Sequence, residues 1–314
     1  MKAVIINSYG PPELLHESTV ATPKVGPNQI LIEVKAAGVN PIDWKIRKGN
    51  FKFITGWRFP KILGTDIAGI VKVTGGKVTD FQIGDEVMAM INVMTSQGGY
   101  AEYAVTAEKY ACKKPTSLSF IDAAAVPGSA ITALQVLRNK SGVKKGQRIL
   151  LNGASGGVGT YGIQIAKILG AEVTGVCSTR NKDLVASLGA DRVIDYTEAD
   201  FTRQDTSYDL IFDAVGNLDF ADCKRILSPG GTFITIVPNA KKILLSLLTA
   251  FMPGKKCRFV SAMPNKDDLI WLKERIEEEK IRVVLDRTYP LKQANEAHAF
   301  MEKGHAQGKV VLTL

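Results

Sequence analysis

The clearest pattern along the chain lies in residues 148–177, where a short apolar run gives way to a helical repeat and then to a second apolar run. Residues 148–151 (RILL) are bounded by turn-forming residues, which is typical of a strand buried on both faces. Apolar positions then recur along one broad face over 160–169, and Gly170 marks the end of the predicted helix. Residues 172–177 predict the next strand.

The alternation of strands and helices continues beyond residue 177, as a parallel, doubly wound sheet requires. Beyond this sheet, two amphipathic helices are predicted at 267–280 and 293–303. Further strands of this sheet are predicted at 192–196, 208–215, 231–237 and 257–262. Six strands predict a complete Rossmann-type α/β fold.

Residues 1–120 have a different pattern, with short strands, glycine turns and no long amphipathic helix, which favours a β-rich, barrel-like domain. Residues 118–137 turn helical, with a break at Pro127. The last strand, 309–314, needs a partner, and the β-rich domain is the expected one. We therefore predict one domain from 1–122 and 265–314, with a cofactor domain over 123–264 inserted into it and the site in their cleft. The earlier strands are predicted at 29–36, 69–73, 84–90 and 99–105.

The turn after the first buried strand carries the glycine pattern of a dinucleotide-binding loop. Its six residues have the form A-x-G-x-x-G. Gly156 lets the backbone approach a pyrophosphate, and Gly159 lets the following helix pack closely. The amide groups at the start of that helix would meet the phosphates. The alternative is an ordinary buried loop rich in glycine. The turn comprises Ala154, Ser155, Gly156, Gly157, Val158 and Gly159.

The end of the second strand distinguishes between NADH and NADPH. An enzyme that prefers NADH places a carboxylate there for the ribose 2′-hydroxyl. This chain has Ser178, Arg180 and Asn181 instead, whose hydroxyl, guanidinium and amide suit a 2′-phosphate. We therefore predict NADPH. The alternative, that Arg180 and Lys182 merely begin the next helix at the surface, is stronger for Lys182.

Composition limits the remaining possibilities. The chain has 314 residues and a net charge of +9, and its lysines and arginines are spread along its whole length. We therefore expect solvated faces rather than specific nucleic-acid binding. Residues 1–6 enter a strand at once, so we expect no targeting segment and a soluble cytoplasmic protein. Residues 241–256 form an apolar run between lysine pairs, suited to a membrane surface, a substrate pocket or a subunit contact.

Cysteine and histidine usage argues against disulfides and zinc sites. The cysteines are scattered, and no histidine stands at metal-ligand spacing from them. The histidines are expected at surface or capping positions. These residues are Cys112, Cys177, Cys223, Cys257, His16, His298 and His305.

These residues together resemble the medium-chain dehydrogenase/reductase superfamily, and within it the zinc-free quinone oxidoreductase branch that includes zeta-crystallin and plant chloroplast quinone and enone reductases. The resemblance covers essentially the whole chain and implies a Rossmann domain inserted into a GroES-like domain. Its motifs are GVNPIDWK at 38–45, LGTDIAG at 63–69, NGASGGVG at 152–159, LGAD at 188–191 with Asp195-Tyr196, and GHAQGKV at 304–310.

The differences from zinc-dependent alcohol dehydrogenases imply a reaction without a metal. Asn40 stands in place of a cysteine ligand, and Thr65-Asp66 in place of a His-Glu pair. Without a Lewis acid, an alkoxide would be poorly stabilised, whereas a conjugated acceptor spreads its charge over an enolate or hydroquinone anion. The resemblance therefore implies quinones, enones and 2-alkenals as substrates of an NADPH-dependent oxidoreductase, and it implies a homodimer paired through sheet edges.

The resemblance also implies roles for individual residues. Asn40, Lys45 and Thr132 would lie near the nicotinamide, with Asn40 donating a hydrogen bond to the acceptor oxygen and Lys45 also contacting the cofactor. The aromatic residues would enclose a flat substrate, although Phe51 and Phe53 equally suit a core. The further cofactor contacts implied are Ala154, Ser155, Gly156, Gly157, Val158, Ser178, Arg180, Asn181, Tyr196, Val215, Val237 and Lys309. The aromatic set is Trp44, Phe51, Phe53, Trp57 and Tyr100.

Two other functions compete with this one. An enoyl-thioester reductase shares the fold and the hydride chemistry but needs room for a long acyl arm. A zeta-crystallin-like protein that binds RNA or a membrane, with residual NADPH binding, is the other alternative.

Overall fold

The computed structural model describes residues 1–92, 97–237 and 239–314, which form two compact units. One unit contains Met1–Ile131 and Met263–Leu314, and the other contains Thr132–Ala262. The chain thus forms part of one unit, completes the second and then finishes the first. The first junction lies later than residue 122, within a helix over Pro127–Leu134.

Strands predominate in the N-terminal part of the first unit. In chain order its elements are β1 Lys2–Ile6, β2 His16–Thr19, β3 Gln29–Val39, α1 Pro41–Arg47, α2 Lys52–Thr55, β4 Lys61–Ile62, β5 Asp66–Thr74, β6 Glu86–Met90, β7 Tyr103–Ala107, β8 Ala111–Lys113 and α3 Phe120–Ala124. Helix α4 is Pro127–Leu134, and a π-helical turn, Gln135–Lys140, continues it.

The second unit continues with β9 Arg148–Asn152, α5 Gly157–Ile168, β10 Glu172–Cys177, α6 Lys182–Ser187, β11 Arg192–Asp195, β12 Tyr208–Asp213, α7 Phe220–Cys223, β13 Leu227–Thr235, α8 Ala240–Phe251 and β14 Lys256–Phe259. The chain ends in the first unit with α9 Lys266–Glu277, β15 Leu285–Pro290, α10 Ala294–Glu302 and β16 Lys309–Thr313. None of the helices in the described residues is long and apolar enough to cross a bilayer.

The second unit has the predicted Rossmann-type sheet. Its strand order in the described residues is β11-β10-β9-β12-β13-β14, and each neighbouring pair is parallel. The order reverses between β9 and β12, and ligands of such sheets bind beyond the carboxyl ends of the strands at this switch point. Asn152 and Asp213 pair in register as the last residues of these two strands.

The first unit has the predicted β-rich fold, and the prediction for the final strand is confirmed. Strand β16 pairs antiparallel with β3, with Val310 opposite Val39, and parallel with β15. Alternate residues of a strand share a face. Ile30, Ile32 and Val34 of β3 accordingly share a buried apolar core with Val310 of β16. The larger sheet has the order β15-β16-β3-β5-β6-β8, with β7 also on β3, and the smaller has β2-β1-β4.

Candidate active site

The glycine turn between β9 and α5 is tightly packed where its helix begins. Gly159 fits because it lacks a Cβ, which would lie 2.1 Å from the carbonyl oxygen of Gly153. At Gly156, by contrast, a Cβ would meet only that same oxygen, at 3.5 Å. The packing thus presses the helix against the turn at Gly159 and leaves open space beside Gly156.

The N-terminus of α5 is suited to an anion. The first N–H groups of a helix have no partner within the helix, and here they belong to Gly157, Val158 and Gly159. Gly156, the N-cap, has no side chain to satisfy them. These amides and the helix dipole therefore favour a phosphate group at this end.

The loop after β10 places two of the predicted cofactor residues at the surface and one inside. Arg180 is exposed and Ser178 is half-buried. Asn181 is buried, and its Nδ2 donates to Ser155 Oγ at 2.8 Å. Asn181 therefore braces this loop against the glycine turn.

A carboxylate to which the sequence assigned no role lies beside this loop. Asp195, the last residue of β11, pairs in register with Cys177 of β10. It is buried, and its Oδ1 accepts from Thr197 N at 2.9 Å and Thr197 Oγ1 at 2.7 Å. A hydrogen bond from Thr179 contributes most to holding the pKa of Asp195 below its ordinary value. Tyr196, which follows it, is exposed.

A polar network that sequence reasoning missed lies at the switch point. Asn152 Nδ2 donates to Asp213 Oδ1 at 3.0 Å, and Lys242 Nζ lies 3.4 Å from Asp213 Oδ2. All three residues are buried. Gly216 packs against one of the two predicted valines, because a Cβ there would lie 2.5 Å from Val237 Cβ. The other valine, Val215, is exposed.

In the first unit, Asn40 is the centre of a buried network. Its Nδ2 donates to Thr65 Oγ1 and to Asp66 Oδ2, both at 2.8 Å. Its Oδ1 accepts from Lys309 Nζ at 2.5 Å. Because an ammonium only donates, this contact fixes which amide atom is the oxygen.

This geometry corrects the role predicted for Asn40. An amide nitrogen has two hydrogens, and both already have acceptors, so none is left for a substrate oxygen. Lys309 is corrected as well. Its ammonium is buried between Asn40 and Asp66 rather than turned toward a cofactor.

Asp66 is enclosed on all sides. Gly128 N donates to its Oδ1 at 2.9 Å, and Lys309 Nζ lies 3.4 Å from its Oδ2. A Cβ on Gly128 would lie 2.7 Å from the same Oδ1, and one on Gly38 would lie 3.0 Å from Asp66 Cβ. Burial raises the pKa of Asp66, and the charge of Lys309 opposes that rise.

Among the predicted site residues of the first unit, Lys45 has a side-chain ammonium without a polar partner in the described residues. Its ammonium lies 5.5 Å from the ring centre of Trp44 and forms no hydrogen bond or ion pair within residues 1–92, 97–237 and 239–314. Partial burial lowers its pKa. Trp44 Nε1 is also buried without a hydrogen-bond partner in this part of the chain. The partly exposed Lys45 ammonium is therefore able to donate to a bound molecule.

The predicted aromatic set divides into three kinds of position. Phe53 is 87% exposed and Trp57 is also exposed, so neither belongs to a core. Phe51 is half-buried against the apolar core. Tyr100 is fully buried, and its hydroxyl lies 3.3 Å from Asp43 Oδ2. The prediction that Tyr100 lines a substrate surface is therefore wrong. Thr132, on α4, is half-buried.

Known proteins resemble this chain in both sequence and structure. A family model described as "Alcohol dehydrogenase GroES-like domain" matches residues 26–116, and one described as "Zinc-binding dehydrogenase" matches residues 188–312. The chain is 34% identical to the chloroplast envelope quinone oxidoreductase homolog of Arabidopsis thaliana, over 99% of this chain and 98% of that protein. The chain belongs to the quinone oxidoreductase branch of the medium-chain dehydrogenase/reductase superfamily.

Two further matches relate this branch to NADPH by their names. The NADPH-dependent alkenal/one oxidoreductase of Arabidopsis thaliana chloroplasts is 35% identical, over 99% of this chain and 79% of that protein. The crystal structure of Escherichia coli quinone oxidoreductase complexed with NADPH aligns with a TM-score of 0.87 at 26% identity, and covers 100% of both chains.

This member of the quinone oxidoreductase branch has a buried histidine that we expected at the surface. His298 is fully buried, and its Nδ1 accepts from Arg47 Nε at 3.3 Å. The other ring nitrogen therefore carries the hydrogen and lies 3.2 Å from Tyr100 Oη. Burial lowers the pKa of His298 to about 3, so the ring stays neutral. Within the described residues, no group of three or more His, Cys, Asp or Glu side chains is arranged to hold a metal ion.

Proposed function

We propose that the protein transfers a hydride from NADPH to a quinone or to an α,β-unsaturated carbonyl compound, an enone or a 2-alkenal. The names of its relatives support this reaction. The observation that carries the choice of cofactor is at the end of β10, where Ser178 and Arg180 stand in place of a carboxylate.

NADPH fits the residues of the second unit. The open space beside Gly156 and the first amides of α5 would receive the pyrophosphate. Arg180 and Ser178 would hold the 2′-phosphate, because a guanidinium pairs well with phosphate oxygens. When bound, the cofactor supplies the hydride.

We propose that the reaction needs no zinc. Lys309 Nζ lies between Asn40 Oδ1 and Asp66 Oδ2, so the chain's own ammonium already contacts both oxygens that a divalent cation would use and neutralises the Asp66 carboxylate. A conjugated acceptor spreads its developing charge over several atoms and therefore needs less stabilisation than an alkoxide. We assign the remaining stabilisation of this developing charge to Lys45, a cation of the first unit with no polar partner in the described part of the chain. Water then supplies the proton.

The test is an NADPH oxidation screen over quinones, enones, 2-alkenals and crotonyl-CoA, repeated with NADH. Arg180→Ala should raise the KM for NADPH tenfold or more and leave that for NADH nearly unchanged, because a lost charge-assisted bond costs roughly 1.5–3 kcal/mol. Arg203→Ala removes another exposed arginine and should change neither constant. An unchanged NADPH preference in Arg180→Ala contradicts the cofactor assignment. Faster turnover of crotonyl-CoA than of any quinone or enone favours an enoyl-thioester reductase.

We also propose a cytoplasmic location and a homodimer. Four buried free cysteines support a reducing compartment. A dimer formed by pairing two β14 edges would require helix α8 to move, because Thr249 Oγ1 of α8 already accepts from the backbone N–H of Cys257 at 2.9 Å. Light scattering during gel filtration tests the dimer, and fractionation of cells tests the location.

A further inference from the structure

Helix α8 has three of its polar side chains, those of Lys242, Ser246 and Thr249, turned toward the protein. Thr249 Oγ1 lies 2.9 Å from the backbone N and 3.0 Å from the backbone O of Cys257. Ser246 Oγ accepts from the backbone N of Phe259 at 3.3 Å. Near the start of the helix, the buried ammonium of Lys242 donates to the carbonyl of Gly216 at 2.7 Å. These contacts cover the outer edge of β14 with hydroxyl groups, which is one way in which proteins protect an exposed strand edge.

The opposite face of α8 is apolar and exposed. Phe251 is 93% exposed and Leu247 is 62% exposed. An ordinary surface helix has the reverse arrangement, with its apolar stripe toward the core. A contiguous apolar patch on the outside marks a surface that another partner covers. The exposed residues of this face are Ile243, Leu244, Leu247, Leu248, Phe251 and Met252.

The surrounding charge indicates the chemistry of that partner. Between Asp222 and Asp267 the chain has eight lysines and arginines and no acidic residue. Lys256 Nζ donates to the carbonyl of Thr249 at 2.8 Å, so this cation lies at the C-terminal end of α8, and Lys255 precedes it in the sequence. A second copy docked face to face would bring these positive charges together. An anionic lipid surface would neutralise them.

We propose that α8 lies in the interface of an anionic lipid bilayer, with Leu244, Leu247, Leu248 and Phe251 among the acyl chains and Lys255 and Lys256 at the headgroups. An interfacial helix of this kind needs an apolar face and nearby basic residues, and it does not span the bilayer. This proposal does not depend on the reaction proposed above. It predicts a protein that binds membranes reversibly through one helix of its second unit.

The test is co-sedimentation of the full chain with phosphatidylcholine vesicles and with vesicles that also contain phosphatidylglycerol. The protein should sediment with the second kind, and added salt should weaken the binding. The double variant Leu247→Ser/Phe251→Ser should lower the partition coefficient at least tenfold, with unchanged thermal stability and NADPH oxidation. The control is Ile83→Ser, which changes a 68% exposed side chain far along the sequence from α8 and should bind as the wild type does.

Two results would overturn the proposal. One is equal binding of both vesicle types by the wild type and the double variant. The other is light scattering that shows a dimer in the wild type and a monomer in the double variant, without vesicle binding by either, since a second copy would then be the occupant of this face.

Discussion

The buried contact between Lys309 and Asp66 gives the most demanding test of the first unit. Replacing Lys309 by Met removes the ammonium and leaves the Asp66 carboxylate buried, with hydrogen bonds from Asn40 and Gly128. Removal of one partner of a buried ion pair costs about 3–5 kcal/mol, since the remaining charge is uncompensated. We therefore expect Lys309→Met to lower the free energy of unfolding by about 4 kcal/mol near neutral pH.

The double variant Lys309→Met/Asp66→Asn separates charge from packing. It leaves no uncompensated charge, and replacement of a whole buried pair by neutral groups is often close to neutral in stability. We expect it to lose about 1–2 kcal/mol, much less than the sum of the two single changes. Lys72→Met is the control, since it breaks an exposed ion pair between Lys72 of β5 and Glu33 of β3 and should cost under about 1 kcal/mol.

Urea denaturation followed by tryptophan fluorescence is the assay, because Trp44, Trp57 and Trp271 all belong to the first unit. The pH supplies a second criterion. Without Lys309, the folded-state pKa of Asp66 rises further above the unfolded value of about 4. A raised folded pKa means that stability falls as pH rises, so the deficit of Lys309→Met should shrink at lower pH. The ion-pair interpretation would be refuted if Lys309→Met lost no more stability than Lys72→Met. It would also be refuted if the stability losses of Lys309→Met and Asp66→Asn simply added up to that of the double variant.

Two more predictions concern the glycine turn and the buried carboxyl group of Asp43. Gly156→Ala should leave the thermal stability nearly unchanged and raise the KM for NADPH about tenfold, because its Cβ would lie at an ordinary 3.5 Å from the Gly153 carbonyl oxygen. Gly159→Ala should lower stability by about 1–3 kcal/mol, because its Cβ would lie only 2.1 Å from that oxygen. Equal melting temperatures of the two variants would contradict this. Burial raises the pKa of Asp43 to about 7, so its contribution to stability is lost as pH rises through 7. Urea titrations of the wild type should therefore show about 2 kcal/mol less stability at pH 8.5 than at pH 5.5, and Asp43→Asn should show a flatter profile; parallel profiles would exclude Asp43 as the cause.

The parts of the fold that local patterns determine could be predicted from the sequence. Periodicity and turn residues act over a few positions, so the strands of the Rossmann-type sheet and the helix after Gly156 followed from them. The close approach at Gly159 was also predictable, since the glycine pattern requires it.

The side-chain partners could not be predicted in this way. Lys309 and Asn40 are 269 residues apart in the sequence, and only the pairing of β16 with β3 brings them together. His298 has no local feature that distinguishes a buried ring from a surface one, and its burial depends on Arg47 and Tyr100. A role inferred from resemblance therefore fails where the polar group already forms hydrogen bonds within the protein, as at Asn40.

The periodicity of the α8 sequence is compatible with burial of either face of the helix. The sequence places Lys242, Ser246 and Thr249 on one face and Leu244 and Leu247 on another, and the hydrophobic effect alone would turn the leucines inward. The structure does the reverse, because the strand edge of β14 presents backbone groups that must be paired when covered. The hydroxyls satisfy them, and the apolar face is left outside. A sheet edge can therefore decide which face of a neighbouring helix is buried, and the exposed leucines then need a partner that the chain itself does not supply.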